Sequence, residues 1–231
     1  MLKQILFILL SILVCSSIGS SSFQVASTFP ICSSCVSNCQ QLDADAINII
    51  ANGGLISTCA GLCGYFAGDE KQVCTAACNN IGLDPFIQII TDEQVADPIY
   101  FCQSVRLCPT NSGTTGSATV DVATTPSSGP LGTTFSVTAT YTIISPFNIG
   151  QIAIKIIDPA VNFFGGDQLI TNVVPGTYTY TYQFTAEPSE QEPFSSGLYK
   201  VVVSVCTGTC GLSSPGTLTL ALEDTSFTIN N

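Results

Sequence analysis

The spacing of the cysteines between Cys32 and Cys108 constrains the fold of this chain more than any other feature. Two inner pairs have i, i+4 spacing, so the cysteines of each pair share one face of a helix. When two helices are antiparallel, the two residue numbers of every facing pair add to the same value. The cysteines here can be grouped into pairs whose residue numbers add to the same or nearly the same value. The spacing therefore predicts nested disulfides, pairing Cys63 with Cys74, Cys59 with Cys78, Cys35 with Cys102 and Cys32 with Cys108.

Disulfides need an oxidising compartment, and the N-terminus predicts one. Residues 1–20 contain the basic Lys3, then an apolar run, then small residues, which is the pattern of a secretory signal peptide. The run is shorter than the roughly 20 apolar residues of a membrane span. We therefore expect a secreted, extracellular protein whose mature chain lacks Cys15.

The charge and composition exclude several functions. The chain has 16 acidic residues, 5 basic residues and no histidine. Nucleic acids and anionic membranes bind proteins mainly through Lys and Arg, so we expect no nucleic-acid partner. Without histidine, a Ser/His/Asp or Cys/His nucleophilic arrangement cannot be built. We predict that the protein is not an enzyme and that it has no catalytic, cofactor-binding or metal site.

The composition changes after Cys108, which indicates two domains. Cysteines and helix-type spacing fill the first half, whereas Thr, Val and Tyr alternate in the second, and a Gly/Ser/Thr-rich linker separates them. The predicted boundaries are a signal peptide at 1–20, a helical domain at 28–110, a linker at 111–117 and a β domain at 118–231.

Helical periodicity and capping residues predict five helices in the first domain. The first ends at Asn52, the second covers 55–66 and the third covers 70–80. Asp84-Pro85 and Asp97-Pro98 each combine an N-cap residue with proline at the first helical position, so a short helix is expected to start at each.

The helical half resembles a saposin B-type domain in its opening C-x2-C, its central pair Cys63 and Cys74, and its closing C-x5-C. The resemblance implies an all-α, five-helix saposin-like fold linked by disulfides. Its implied bridges are Cys32–Cys108, Cys35–Cys102 and Cys63–Cys74, and Cys59–Cys78 is an additional fourth bridge.

Cys39 is left over from this scheme, because its facing position is near Pro98, where no cysteine is present. Two interpretations remain open. One is a buried free thiol on the inner face of the first helix, or a pairing scheme that the sequence conceals. The other is an intermolecular disulfide that builds an oligomer.

The second half predicts an all-β domain. Thr and Tyr alternate in Thr177–Tyr182, so one residue type faces the core. Seven strands suggest an immunoglobulin-like sandwich, with Tyr199 at the tyrosine-corner position, although a seven-stranded barrel gives the same pattern. The predicted strands are 119–122, 133–143, 151–157, 168–174, 177–185, 198–205 and 218–228.

Cys206 and Cys210 follow the sixth predicted strand, among Gly and Ser residues. A metal or redox site would need His, further Cys or an electropositive environment. We therefore predict a local disulfide that pins a hairpin.

The whole chain resembles the countin family of social amoebae. The resemblance lies in Cys32-Ser-Ser-Cys35, in Asn52-Gly-Gly-Leu-Ile-x-Thr-Cys59 and in Asp97-Pro-Ile-Tyr-x-Cys102, followed by a β-rich domain. It implies an extracellular component of a counting factor, a complex with other secreted proteins through which cells limit group size by altering adhesion and motility.

Lipid binding or membrane perturbation is the alternative, because saposin-like helices can open and expose their inner faces to lipid. The same apolar residues form the ordinary core of the closed domain, so the sequence leaves both interpretations open. The inner-face residues are Val36, Leu42, Ile49, Ile50, Phe86, Ile90 and Phe101.

Overall fold

The computed structural model describes residues 31–52, 56–93, 97–111, 115–189 and 193–230. The predicted signal peptide at 1–20 lies outside these residues. Within them, helices occupy the chain up to Ser104 and strands occupy it from Ser117 onward. A helical domain is therefore followed by a β domain, as the change in composition predicts.

The helical domain contains five described helices. The fifth begins as predicted, because the Asp97 carboxylate accepts a hydrogen bond from the Tyr100 amide at 3.0 Å and Pro98 occupies the first turn. None of the described helices is long and apolar enough to cross a bilayer. The helices are α1 (Cys32–Asn52), α2 (Cys59–Cys63), α3 (Gly68–Ile81), α4 (Leu83–Glu93) and α5 (Pro98–Ser104).

The boundaries of three helices differ from the prediction. Helix α3 covers Gly68–Ile81, slightly longer than the predicted 70–80. Helix α2 is shorter than 55–66, because the Thr58 hydroxyl accepts from the Gly61 amide at 3.0 Å and sets the start at Cys59. Helix α4 begins before Asp84, since the Phe86 amide already donates to the Gly82 carbonyl at 3.1 Å. Asp84 is therefore a first-turn acid, favourable at a helix N-terminus, and not a cap.

Four disulfides cross the helical domain and coincide with the nested pairs expected from the sequence. The two outer bridges tie the start of α1 to the chain in and after α5, and the two inner bridges tie α2 to α3. Buried apolar residues, including Leu42, Phe86 and Phe101, fill the space between the helices. The bridges are Cys32–Cys108, Cys35–Cys102, Cys59–Cys78 and Cys63–Cys74.

The β domain contains eight described strands in two sheets, with strand orders β1-β3-β6 and β2-β8-β7-β4-β5. Adjacent strands pair antiparallel except β2 and β8, which pair parallel. The strands are β1 (Ser117–Thr125), β2 (Ser128–Pro130), β3 (Thr134–Ser145), β4 (Phe147–Ile157), β5 (Phe163–Val173), β6 (Gly176–Thr185), β7 (Gly197–Thr207) and β8 (Leu218–Asn230).

The β-domain core lies between the two sheets and is rich in aromatic rings. Phe227 packs against Phe135 with ring centroids 4.5 Å apart and against Tyr199 at 5.0 Å. In β6 the tyrosines are half-buried and the threonines exposed, which confirms the predicted alternation. Exposed threonines pair across strands, as Thr142 and Thr177 do through hydroxyl oxygens 2.9 Å apart.

Candidate functional site

The two domains are joined at a fixed position by Asn111, just after the helical domain. The Asn111 side chain donates to the Ile149 carbonyl at 2.7 Å and accepts from the Asn148 and Ile149 amides at 3.0 and 3.1 Å. The Asn148 side chain donates in turn to the Thr110 carbonyl at 2.7 Å. We call these four residues the Asn111 clamp. It binds the end of the helical domain to the start of β4.

A second link between the domains runs through Asp97, which is only 6% exposed. One carboxylate oxygen, Oδ1, caps α5 and also accepts from the Thr209 hydroxyl at 2.6 Å. The other, Oδ2, is buried and has no hydrogen-bond partner among the described residues. A buried carboxylate needs hydrogen bonds to remain stable, so Thr209 couples the turn between β7 and β8 to the helical domain.

Apolar contacts complete the joint. Ile149 of β4 is fully buried in the core of the helical domain, and Leu169 of β5 packs against the same core. The β domain therefore contributes side chains to the helical core. The two domains meet through specific contacts and not through a linker alone.

Beside this joint lies a groove of about 1060 Å³, which we call the interdomain groove. One wall is the start of α1, with Ser33, Ser34 and Ser37. The other wall is the outward face of β4 and β5 together with the turn after β7. Its volume is at the upper end of the range for ligand-binding clefts. The remaining lining residues are Val36, Pro98, Gln151, Ala153, Ile154, Lys155, Phe163, Phe164, Gly165, Gly166, Asp167, Leu169, Thr209, Cys210 and Leu212.

The polar side chains of the β wall are held in place by one another. The Gln151 amide donates to the Asp167 carboxylate at 2.7 Å, and its carbonyl oxygen accepts from the Cys210 amide at 2.8 Å. Gln151 therefore has a fixed orientation and positions the exposed Asp167 carboxylate. Such side chains are preorganised for hydrogen bonding to a ligand.

A cation and an aromatic ring lie together at the outer end of the groove. The Lys155 ammonium is 4.1 Å from the centroid of the Phe163 ring, a cation–π contact. The Phe163 side chain is nevertheless 67% exposed. The exposed part of the ring lines the groove and is available for contact with a ligand.

Electrostatic effects extend from the groove to the neighbouring tyrosines. The pKa of Tyr180 is raised above its ordinary value of 10.0 by burial, then by the Asp167 carboxylate and by Tyr182. Burial and Tyr178 likewise raise the pKa of Tyr141. Both phenols therefore stay protonated at neutral pH and act as neutral hydrogen-bonding groups.

Three of the predicted disulfides hold the elements that form the walls of this groove. Cys206 and Cys210 form the predicted local disulfide, which holds the turn that carries Thr209. Cys32 and Cys35 fix the start of α1 on the opposite wall. Cys39 is fully buried one turn further along α1, in the core of the helical domain. Its oxidation state stays a prediction.

The residues that the sequence offers for lipid contact are all part of the helical core. Leu42, Phe86, Ile90 and Phe101 are buried, and the other three pack against them half-buried. In this closed arrangement their surface faces other side chains. Lipid contact would require the helices to separate.

The groove residues Lys155, Phe163 and Asp167 were not identified from the sequence. The strand predicted at 168–174 starts later than β5, because Gly165 and Gly166 interrupt the apolar pattern and are typical of a loop before a strand. The pattern that could have identified them is the alternation of Phe163, Gly165, Asp167 and Leu169, which places these residues on one face of a strand.

In the described part of the chain, no group of three or more His, Cys, Asp or Glu could hold a metal.

Comparison with known families matches both domains of this chain. The model of the countin N-terminal domain matches residues 29–106, and the model of the countin C-terminal domain matches residues 117–231. The two matches cover the helical domain and the β domain respectively.

Three similar proteins come from Dictyostelium discoideum. Countin-1 is 41% identical over 208 residues, which are 89% of this chain and 80% of that protein. Countin-2 is 33% identical over 90% of this chain and 81% of that protein. Countin-3 is 32% identical over 98% of this chain and 99% of that protein.

Solved structures are only remotely similar. An alkylpurine DNA glycosylase from Pseudomonas fluorescens has a TM-score of 0.40 at 12% identity, over 80% of this chain and 55% of that one. A β-glucosidase from Listeria innocua has a TM-score of 0.37 at 16% identity, over 53% of this chain and 17% of that one. Similarity this weak supports no conclusion about fold or function.

Proposed function

This chain belongs to the countin family, and from that premise we propose that it is a secreted, non-enzymatic component of an extracellular counting-factor complex. In this role it acts with other secreted proteins to regulate aggregate or group size through cell adhesion and motility. The observation that carries the proposal is the family match of both domains, with 41% identity to countin-1 over 89% of this chain.

Secretion is supported by the cysteine chemistry. Five disulfides join cysteines in the described part of the chain, and bonds of this kind persist in oxidising compartments and are rare in the cytosol. The apolar segment near the N-terminus, with its basic Lys3, is the corresponding export signal.

A non-enzymatic role is supported by the residue types that the chain offers. It contains no histidine, the side chain most often used for proton transfer near neutral pH. The groove offers hydroxyls, an amide, a carboxylate and an ammonium, which are suited to recognition. We propose that this surface contacts a binding partner.

We further propose that the helical domain has the saposin B-type fold. Five helices and the bridges Cys32–Cys108, Cys35–Cys102 and Cys63–Cys74 support this assignment. The fourth bridge, Cys59–Cys78, lies one turn beyond the third in both α2 and α3.

The same proposal assigns an immunoglobulin-like fold to the β domain. The strand order supports it, with β1, β3 and β6 in one sheet and β4, β7 and β8 in the other. The buried Tyr199 hydroxyl donates to the Ser195 carbonyl at 2.8 Å and accepts from the Ser195 amide at 3.0 Å. This contact at the start of β7 has the form of a tyrosine corner.

The test is to isolate the protein from the medium of its native cells and to measure its mass by size-exclusion chromatography with light scattering. We expect a large complex in which other secreted proteins co-elute. A lone species of about the chain's own 24.1 kDa would contradict assembly into a complex.

Deletion of the gene provides the functional test. We expect the deletion strain to form groups of altered size, with altered adhesion and motility. Normal group size would contradict the proposed role. Flotation with liposomes at neutral and acidic pH addresses lipid binding, and recovery of the protein with lipid would favour that alternative.

A further inference from the structure

We propose that the interdomain groove binds a neutral carbohydrate chain, with its sugar hydroxyls on the polar walls and one apolar sugar face on the Phe163 ring. The proposal concerns the groove alone and stands whether or not the chain enters a complex. It rests on the juxtaposition of α1 with the outward face of β4 and β5.

The polar groups of the groove match a ligand that both donates and accepts hydrogen bonds. Ser33, Ser34 and Ser37 line the α1 wall. The Ser37 hydroxyl donates to the Ser34 carbonyl at 3.3 Å and accepts from the Asn38 side chain at 3.3 Å, so it offers a ligand one remaining acceptor position. Asp167 accepts and the Gln151 amide can do both. A sugar hydroxyl is itself a donor and an acceptor, so a polyhydroxylated chain can satisfy both walls.

The Asp167 carboxylate is held ready for such a ligand. Gln151 fixes it through a hydrogen bond of 2.7 Å, and the Cys210 amide fixes Gln151 at 2.8 Å. The Cys206–Cys210 disulfide restrains that amide in turn. Little side-chain freedom is therefore lost on binding, which favours recognition of a flexible, strongly hydrated molecule.

Phe163 supplies the apolar part of the site. The face of an aromatic ring is electron-rich, so it attracts the polarised C–H groups on the apolar side of a sugar ring. Phe163 is 67% exposed, and the Lys155 ammonium above the ring restrains it at 4.1 Å. A small aromatic platform beside hydrogen-bonding groups suits a sugar better than a wholly apolar ligand.

Gly165 lets β5 pass close to β4 between the two key side chains. Phe163, Gly165 and Asp167 alternate along β5 and so lie on the same face of the strand. A Cβ at Gly165 would collide with the Ile154 carbonyl oxygen, so only glycine fits this close approach of the two backbones. The strand therefore presents an aromatic ring and a carboxylate with no side chain between them.

Charge argues against anionic ligands. Within the groove the Asp167 carboxylate offsets the Lys155 ammonium, and the whole chain has a net charge of -11. A phosphate-rich or strongly acidic partner would find no excess of positive charge in the groove and would be repelled by the rest of the chain. A wholly apolar ligand would leave the serine hydroxyls and the carboxylate without partners, which is costly. A neutral, hydroxyl-rich ligand avoids both penalties.

The experiment uses the purified, disulfide-intact protein on an immobilised array of neutral oligosaccharides built from hexoses and N-acetylhexosamines. Calorimetry then measures affinity for the strongest binder in solution. Phe163→Ala and Asp167→Asn should each weaken binding by about tenfold or more, because each removes one major contact.

Matched controls separate binding from folding. Leu222→Ala removes an exposed side chain on β8 outside the groove, and Asp121→Asn removes an exposed carboxylate on β1. Both should bind the oligosaccharide as the unchanged protein does. Each of the four variants should have a thermal unfolding temperature within a few degrees of that of the unchanged protein, since the substituted side chains are exposed.

Two results would overturn the proposal. One is the absence of binding to every oligosaccharide on the array at millimolar concentration. The other is binding that Phe163→Ala and Asp167→Asn leave unchanged, which would place the carbohydrate site elsewhere. Binding to phosphatidylserine vesicles or an acidic peptide in place of the oligosaccharides would likewise overturn it.

Discussion

The helical domain is held together by covalent bonds between distant cysteines, whereas the β domain is held together by strand pairing and aromatic packing. Four disulfides join positions 76, 67, 19 and 11 residues apart in the helical domain. The disulfide of the β domain joins cysteines only 4 residues apart. In the chain-entropy account the stabilisation grows with the length of the closed loop, so it is concentrated in the helical domain.

The difference follows from what each domain can form by itself. Helices α2 and α5 have 5 and 7 residues, too short to be stable without tertiary support. Apart from β2, the described strands of the β domain have 9 to 13 residues, and they enclose a continuous aromatic core. Cross-links therefore occur where local structure is weakest.

Reduction of the disulfides should show the difference in stability between the two domains most clearly. Each of the two long cross-links contributes about 3 to 5 kcal/mol, so their loss should unfold the helical domain. Excess dithiothreitol should abolish the helical circular dichroism and leave the near-ultraviolet signal of the β-domain aromatics. The Cys206→Ser/Cys210→Ser variant should keep both signals before reduction. Simultaneous loss of both signals on reduction would contradict this view.

Removal of an aromatic ring from the core should destabilise the β domain instead. Phe227 is 1% exposed and contacts Phe135, Phe184 and Tyr199. Phe227→Ala should destabilise the β domain by about 3 to 5 kcal/mol, because it leaves a cavity in the core. Leu222→Ala, at an exposed position on the same strand, should change stability by less than about 0.5 kcal/mol. Urea unfolding of the oxidised proteins measures both, and equal effects would refute a packed aromatic core.

The Asp97 link tests whether the domains also stabilise one another. Asp97→Ala removes the α5 cap and the bond from Thr209, and should cost about 1 to 3 kcal/mol. Thr209→Val keeps the cap and removes only the bond between domains, so it should cost about 1 kcal/mol. A double-mutant cycle between these variants isolates the coupling. Additive effects would show that the bond contributes nothing.

Alkaline pH should lower the stability of the β domain, and this effect should be the smallest of those predicted here. The pKa values of Tyr141 and Tyr180 are raised in the folded state. The contribution of these two neutral phenols to the free energy of unfolding is therefore fully present below about pH 10, the ordinary tyrosine pKa. Above that pH the unfolded chain ionises first, so stability falls as pH rises through the folded values. Urea midpoints between about pH 9 and pH 12 measure the loss. It should be smaller in Tyr141→Phe, and an unchanged slope would contradict the assignment.

The sequence identified those parts of the fold that local rules determine. The Asp97-Pro98 helix start follows from capping, and the Thr/Tyr alternation of β6 follows from strand geometry. The disulfide pairs follow from the geometry of antiparallel helices. Each of these needs information only from neighbouring residues or from one regular pairing.

The parts that could not be predicted depend on tertiary placement. Strand β2 covers only Ser128–Pro130, and its sequence Ser-Gly-Pro has no strand pattern; it forms by parallel pairing with β8. The groove depends on how α1 lies opposite the β4–β5 face, and these elements are far apart in the chain. No local pattern specifies how two domains meet. Asn111, which makes three of the hydrogen bonds between the domains, has in the sequence only the appearance of another polar linker residue.

The Asn111 clamp has a consequence for multivalent recognition. Tandem domains on a loose tether reach a second binding site at an effective concentration that depends on tether length. Here hydrogen bonds from Asn111 to β4 set the separation of the two domains. A partner that touches both domains meets two half-sites already in register, so its second contact forms as an intramolecular step. The avidity of such a partner then depends on the contacts that fix the joint, the hydrogen bonds of the Asn111 side chain among them.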